Sequence, residues 1–250
     1  MVQTAQKELN PGGVRNYQYY YYKQFENKLN IKELGIKDFV RLIESEIPFS
    51  FARYGNGEWD CILGYRTGTG SGSQVFTPDL RDAMRETILE NRGVMVGMQN
   101  LRYLTKAKLL KPVFDYLQEN EINLDWYAAD VFHYASQNKE LGPLVKALGK
   151  KKFVMVGPKW LENLSFVDEV VVVKEKDCWD DVDDIEKELS HYHDCVIGFC
   201  AGPTSNVLIH RLHGTNQLID FGSVWDVYCG VETRKYHKQI TDAHFEANYV

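Results

Sequence analysis

Short apolar runs alternate with stretches of helical period along most of this chain. Ile36 to Ile47 places Phe39, Leu42, Ile43 and Ile47 on one face, which predicts a helix. Phe49 to Tyr54 reads as a strand. Thr77-Pro78-Asp79 opens the next helix with a cap hydroxyl, a proline in the first turn and an acid at the positive dipole end. That helix runs to about Asn91. Gly93 to Met98 predicts an apolar strand, Tyr103 to Asn120 a helix and Leu124 to Ala128 a short strand. Val131 to Leu148 reads as mostly helical. The runs Phe153 to Val156 and Glu169 to Val173 predict buried strands. Asp180 to Tyr192 is a helix, Cys195 to Phe199 a strand, Thr204 to Leu212 a helix and Gln217 to Phe221 the last strand. Several strands are unbroken β-branched runs, the mark of strands covered on both faces. The expected fold is α/β: a Rossmann-like, mostly parallel sheet flanked by helices.

The ends differ from this core. Met1 to Arg15 is polar and carries Pro11-Gly12-Gly13, so it reads as a loose arm. Tyr17 to Lys28 begins with five tyrosines in six positions. Such a segment lays its rings on the domain surface, or it forms a stacking platform for a sugar, a base or a partner chain. Docking of a second copy through this arm is one expectation. Residues 1–30 are therefore read as an arm, 31–230 as one α/β domain and 231–250 as a polar, aromatic tail. A chain of 250 residues buries a sizeable core without covalent staples.

Charge and cysteine content narrow the classes. The formal net charge is −6, without the basic surplus of a chain that wraps nucleic acid, although a local basic patch stays open. The five cysteines are odd in number and form no C-x-x-C, which suits reduced thiols in a cytoplasmic protein. No apolar run reaches membrane-span length and no signal peptide opens the chain.

Ligands of parallel sheets bind beyond the carboxyl ends of the strands. Four predicted strands end in glycine turns with polar groups: Arg53-Tyr54-Gly55-Asn56-Gly57-Glu58, Gly157-Pro158-Lys159-Trp160, Cys200 to Asn206, and Asp220 to Asp226. Together they sketch a polar crevice. Gly202-Pro203-Thr204-Ser205 is the clearest anion seat, a glycine turn entering a helix, with Thr204 and Ser205 either offering hydroxyls to a phosphate or merely capping the helix. Arg53 and Lys159 are cations on the same rim, suited to a diphosphate or to neighbouring acids. Asn56 and Glu58 flank a glycine. They could face one hard cation such as Mn²⁺ or Mg²⁺, or begin a helix in which Glu58 sits in the favourable first turn. Neither a Walker loop nor a G-x-G-x-x-G is present. The glycine-rich stretch Gly68 to Ser73 reads as a flexible loop, a candidate lid.

SFARYGNGEWD, taken with the later GFCAGPTSNVLIHRL and QLIDFGSVWD, resembles the GT-D fold glycosyltransferases, a family first catalogued as a domain of unknown function. The resemblance covers about residues 36 to 230. It implies a Rossmann-like sheet, a nucleotide-sugar donor, typically UDP-linked, and a divalent metal held by an Asp-x-Glu motif. Carried over by position, Arg53 matches the family arginine, Asn56 stands at the motif aspartate and Glu58 at its glutamate. Gly55 lies in the same turn. Gly202, Pro203 and Thr204 match the phosphate-side turn, and Asp220 and Gly222 the last strand end. Asn56 removes one charge from the metal site, and Ser223 replaces a histidine found in many relatives. Asp60, Asp130, His133 and Asp226 are candidate bases for an acceptor hydroxyl, with Glu58, Asp60 and Asp226 the leading catalytic candidates. The acceptor expected from the resemblance is a glycan. A hydroxylated DNA base is an alternative acceptor, and a silent nucleotide-sugar-binding module is an alternative function.

Overall fold

The computed structural model describes residues 16–249, with side chains from 22 to 248. The predicted loose arm, Met1 to Arg15, lies outside the described residues. Among those described, seven strands form one sheet: β1 (Phe49–Tyr54), β2 (Met95–Met98), β3 (Trp126–Ala128), β4 (Phe153–Gly157), β5 (Glu169–Val172), β6 (Val196–Phe199) and β7 (Gln217–Asp220). Every strand pairing is parallel, in the order β3-β2-β1-β7-β6-β4-β5.

Helices cover both faces, and strand residues alternate between the two layers. In β1, Ala52 and Tyr54 pack on one side while Phe49 and Phe51 pack on the other. In β4, Val154 and Val156 oppose Phe153 and Met155 in the same way. An unbroken apolar run is thus what two covered faces require. One layer holds α1 (Asn16–Leu29), α3 (Asn56–Leu63), α4 (Pro78–Leu89), α5 (Leu101–Lys106), α6 (Leu110–Glu119), α9 (Val182–Leu189) and α10 (Pro203–Arg211). The other holds α2 (Ile36–Glu44), α7 (Val131–Gln137), α8 (Gly142–Leu148) and α11 (Asp242–Tyr249). Here Phe51, Phe39, Phe132 and Phe221, in that order, form an aromatic chain, with ring centroids 4.7 to 5.0 Å apart between successive members.

Three segments depart from the sequence reading. The single helix expected over Tyr103 to Asn120 is two, α5 and α6, because Lys108 takes a left-handed conformation at φ 61° between them. The stretch Gly68 to Ser73 is a turn on a small antiparallel bridge, Gly68 to Val75, laced by Thr69, Ser71 and Ser73 hydroxyls. It is also tied down, since the Val75 amide donates to Asp177 at 2.6 Å and the Asp177 amide donates to Ser73 O at 2.8 Å. The region expected as a tail contains α11, which docks on α8. The Asn248 side chain is fully buried there. It receives the Leu141 amide at 2.9 Å and donates to Ser136 O at 2.7 Å.

Candidate functional site

The strand order makes β1, β7, β6 and β4 neighbours in the middle of the sheet. These are the four strands whose ends carry the polar glycine turns. Their carboxyl ends therefore lie side by side, and Arg53 sits at the centre.

Arg53 leaves β1 half-buried, and its carbonyl accepts the Asn206 side-chain amide at 2.9 Å. Its Nη2 lies 3.3 Å from His133 Nδ1. A guanidinium only donates, so Nδ1 is the lone-pair nitrogen and Nε2 carries the proton of a neutral imidazole. Burial pushes the His133 pKa down to about 4, with help from Arg53, which agrees with that tautomer. The guanidinium rests on Gly222, where a methyl group would come within 2.7 Å of Nη1. Gly222 also has φ 58°, so the backbone and the space both call for glycine.

Asp220 ends β7 and is 6% exposed. Its carboxylate accepts the Gly222 amide at 2.8 Å. Burial raises its pKa to about 6. Arg53 opposes that rise and Glu58 adds to it, so Arg53, Glu58 and Asp220 share one electrostatic neighbourhood.

Around this centre many buried polar atoms lack a protein partner. They include Arg53 Nε and Nη1, Asn56 Oδ1, Gln99 Oε1, His133 Nε2, Asn206 Oδ1, Ser223 Oγ and the Tyr236 hydroxyl. The connections are short. Gln99 donates its amide to Tyr54 O at 3.1 Å, and the Tyr236 ring packs 5.4 Å from that of His133. An unsatisfied buried polar group costs about 1 to 3 kcal/mol. Such groups concentrated in one place mark a site whose partners arrive with a ligand.

The other expected site residues are placed as follows. Gly55 precedes α3, and Glu58 Oε2 accepts its amide at 2.8 Å, the helix-start role weighed for Glu58 in the sequence. Asn56 begins α3 with its side-chain oxygen unpaired and buried. Asp60 is 3% exposed and ion-pairs with Arg66 at 3.0 Å; burial raises its pKa and Arg66 lowers it, with burial prevailing. Asp226 accepts the Trp160 indole at 3.1 Å and the Thr233 hydroxyl at 2.5 Å, so both oxygens are engaged. Lys159 is exposed on a short 3₁₀ turn at the end of β4. Gly202, at φ 58°, turns the chain into Pro203 at the start of α10. Thr204 and Ser205 are fully buried. Thr204 Oγ1 lies 3.3 Å from Cys178 Sγ, and Ser205 Oγ accepts the Ala201 amide at 3.0 Å. Both hydroxyls are thus engaged within the protein.

Among the described residues no three His, Cys, Asp or Glu side chains gather as a metal-binding group. Asn56 Oδ1 and the second oxygen of Glu58 suit a hard cation that draws its remaining ligands from a substrate.

No protein-family model matches the chain, and no curated protein matches it significantly. Solved structures do. A glycosyltransferase (DUF1792) from Streptococcus sanguinis superposes with a TM-score of 0.62 at 14% identity, over 88% of this chain and 98% of that one. A selenomethionine-substituted domain of unknown function 1792 gives a TM-score of 0.61 at 16% identity, over 93% and 87%. A third, described as having a distinct glycosyltransferase fold, gives 0.58 at 16% identity with the same coverage. The chain has the DUF1792 fold. The sheet with helices on both faces is thus the architecture expected from the resemblance. At this identity the DUF1792 likeness establishes the fold, and the chemistry must be argued from the residues.

Proposed function

We propose that this chain is a glycosyltransferase that moves a sugar from a nucleotide-sugar donor, UDP-linked, to a hydroxyl acceptor. The observation that supports it is Arg53: a buried guanidinium at the centre of the sheet edge with two N–H-bearing nitrogens unpaired. A diphosphate is the ligand chemistry that fits. The free N–H groups on Nε and Nη1 can each donate to a phosphate oxygen, and charge-assisted bonds are about twice as strong as neutral ones.

Glycosyl transfer builds negative charge on the departing diphosphate, so fixed positive charge there lowers the barrier. Arg53 is held for that role on one side by His133 and on the other by Gly222. His133 stays neutral near pH 7, so it accepts from Arg53 without repelling it. Ser223, Asn206 and Gln99 offer further polar groups to the rest of the donor. A divalent ion such as Mn²⁺ or Mg²⁺, held by Asn56 and Glu58, would share the neutralisation of the diphosphate. One carboxylate and one amide oxygen make that hold weak, which places most of the load on Arg53.

The test is consumption of a panel of UDP-, GDP- and TDP-sugars by the purified protein, with Mn²⁺ and with EDTA. Release of nucleoside diphosphate from one donor supports the reading. An intact panel in both conditions contradicts it.

A further inference from the structure

A cleft of about 300 Å³ opens beside the Arg53 site, between α1 and the carboxyl ends of β2 and β3. Tyr22, Glu26, Asn30 and Glu33 line it from the α1 side. Asn100, Asp130 and Tyr134 line it from the sheet side. No lysine or arginine is among its lining residues, whereas three carboxylates are. The site beside it has the opposite character, built on a buried guanidinium.

Asp130 belongs to both. Its Oδ2 accepts the Asn100 amide at 3.1 Å. Its Oδ1 lies 3.9 Å from His133 Nδ1, too far for a hydrogen bond, and that nitrogen already accepts from Arg53. One carboxylate oxygen is therefore left for a donor from the cleft. Burial works against the charged form of the Asp130 carboxyl, while Arg53 and the Asn100 amide favour it. It is an anion at neutral pH.

We propose that this cleft is the acceptor subsite, that it takes an uncharged, polyhydroxylated acceptor such as a saccharide, and that Asp130 receives the proton of the attacking hydroxyl. The proposal rests on the glycosyltransferase reading. In the step, the acceptor oxygen forms a bond to the anomeric carbon of the donor sugar. The bond from that carbon to the diphosphate breaks, and its electron pair leaves with the nucleoside diphosphate. The acceptor proton passes to Asp130.

The lining supports this class of acceptor in two ways. Carboxylate and amide oxygens accept hydrogen bonds from sugar hydroxyls, and the rings of Tyr22 and Tyr134 offer apolar faces to the C–H side of a pyranose. Tyr134 is 42% exposed, so its ring is available. Glu33 and Asp130 repel a phosphate-bearing acceptor by simple Coulomb interaction, while Glu26 is paired with Lys23 at 2.5 Å. A nucleic-acid strand would have to bring its phosphates to that rim.

The test uses the full chain and saturation-transfer NMR. The probes are methyl β-glucoside, methyl β-galactoside, glucose 6-phosphate and a duplex oligonucleotide containing 5-hydroxymethylcytosine. One neutral glycoside is expected to receive saturation, and glucose 6-phosphate is not. Glu33→Lys and Tyr134→Ala, both exposed positions, should each weaken the neutral glycoside about tenfold. The same variants should leave UDP affinity within about twofold. Asp130→Asn should lower the rate of transfer while neutral-glycoside affinity is retained. Preference for the phosphate or the oligonucleotide, no glycoside binding, or equal binding by all variants would overturn the proposal. Glycoside binding without turnover of any donor would overturn the transferase reading and with it the acceptor and proton-transfer roles, whereas turnover without glycoside binding would overturn this proposal alone.

Discussion

At the scale of single residues, the account turns on Arg53 and the groups that hold it. The half-buried guanidinium keeps two nitrogens without a protein partner and offsets the charge of Asp220 and Asp130 beside it. Arg53→Met should therefore lower the melting temperature, while donor affinity falls by about a hundredfold. Thermal melts and calorimetry on the same preparation check both halves. Gly222→Ala should also destabilise. A left-handed alanine costs about 1 to 2 kcal/mol, and its methyl drives into the guanidinium. Urea denaturation would show that loss, and donor binding would weaken with it. Asp220 supplies a pH test. Its folded pKa of about 6 lies above the ordinary value of 3.8, so the protonated form is the one the fold favours. Its contribution is full below about pH 4 and is lost as pH rises through about 6, roughly 3 kcal/mol in all. His133 and His237, with pKa values lowered to about 4, act in the opposite direction over the same window. The informative quantity is thus the difference between the wild type and Asp220→Asn. The variant should be the more stable at about pH 7.5, with the gap closing near about pH 4, measured by urea denaturation. Of these residues, Arg53 and Asp220 stand out in the sequence because each ends an apolar run. Gln99 and Tyr236 do not, since their neighbours in the site come from distant parts of the chain.

At the scale of elements, the four glycine-rich strand ends were legible because each follows a strand of clear apolar period. Their adjacency was not, because it depends on β6 and β7 filling the gap between β1 and β4. Periodicity also misses the break between α5 and α6. Lys108 at φ 61° is a conformation that no composition rule assigns to lysine. The role of the last helix was equally hidden, since Asp242 to Tyr249 reads as polar while it docks through the buried Asn248 and the Phe245 ring, 5.1 Å from that of Tyr228. Asn248→Ala would strand the buried Leu141 amide and remove a donor from the Ser136 carbonyl and the Tyr228 hydroxyl. The expected loss is about 2 to 4 kcal/mol, measured by urea denaturation. The Gly68–Ser73 turn is read differently once its ties are known. Asp177 holds it against the loop beyond β5, so any closure over the donor must break or carry that contact. Asp177→Ala should increase proteolytic cleavage between residues 68 and 75, and a protease time course would show it.

For the molecule as a whole, one parallel sheet brings a cationic site and an acidic cleft to the same edge, with Asp130 between them. The net charge of −6 is an overall figure and does not reveal the Arg53 guanidinium set among Glu58, Asp130 and Asp220. Among the described residues, no helix is long and apolar enough to cross a membrane. The oligomeric role considered for the tyrosine run falls largely on side chains outside those described, although Tyr22 itself lines the acidic cleft. Two halves of a transfer reaction, an anionic leaving group and a hydroxylated acceptor, would then meet at one carboxylate. The most direct test of the central claim is calorimetric titration of UDP into the wild type and into Arg53→Met, each with Mn²⁺ and with EDTA. The account predicts saturable binding to the wild type that survives EDTA in weakened form and is lost in Arg53→Met under both conditions. Binding by the variant equal to that of the wild type, or none by the wild type in either condition, would contradict it.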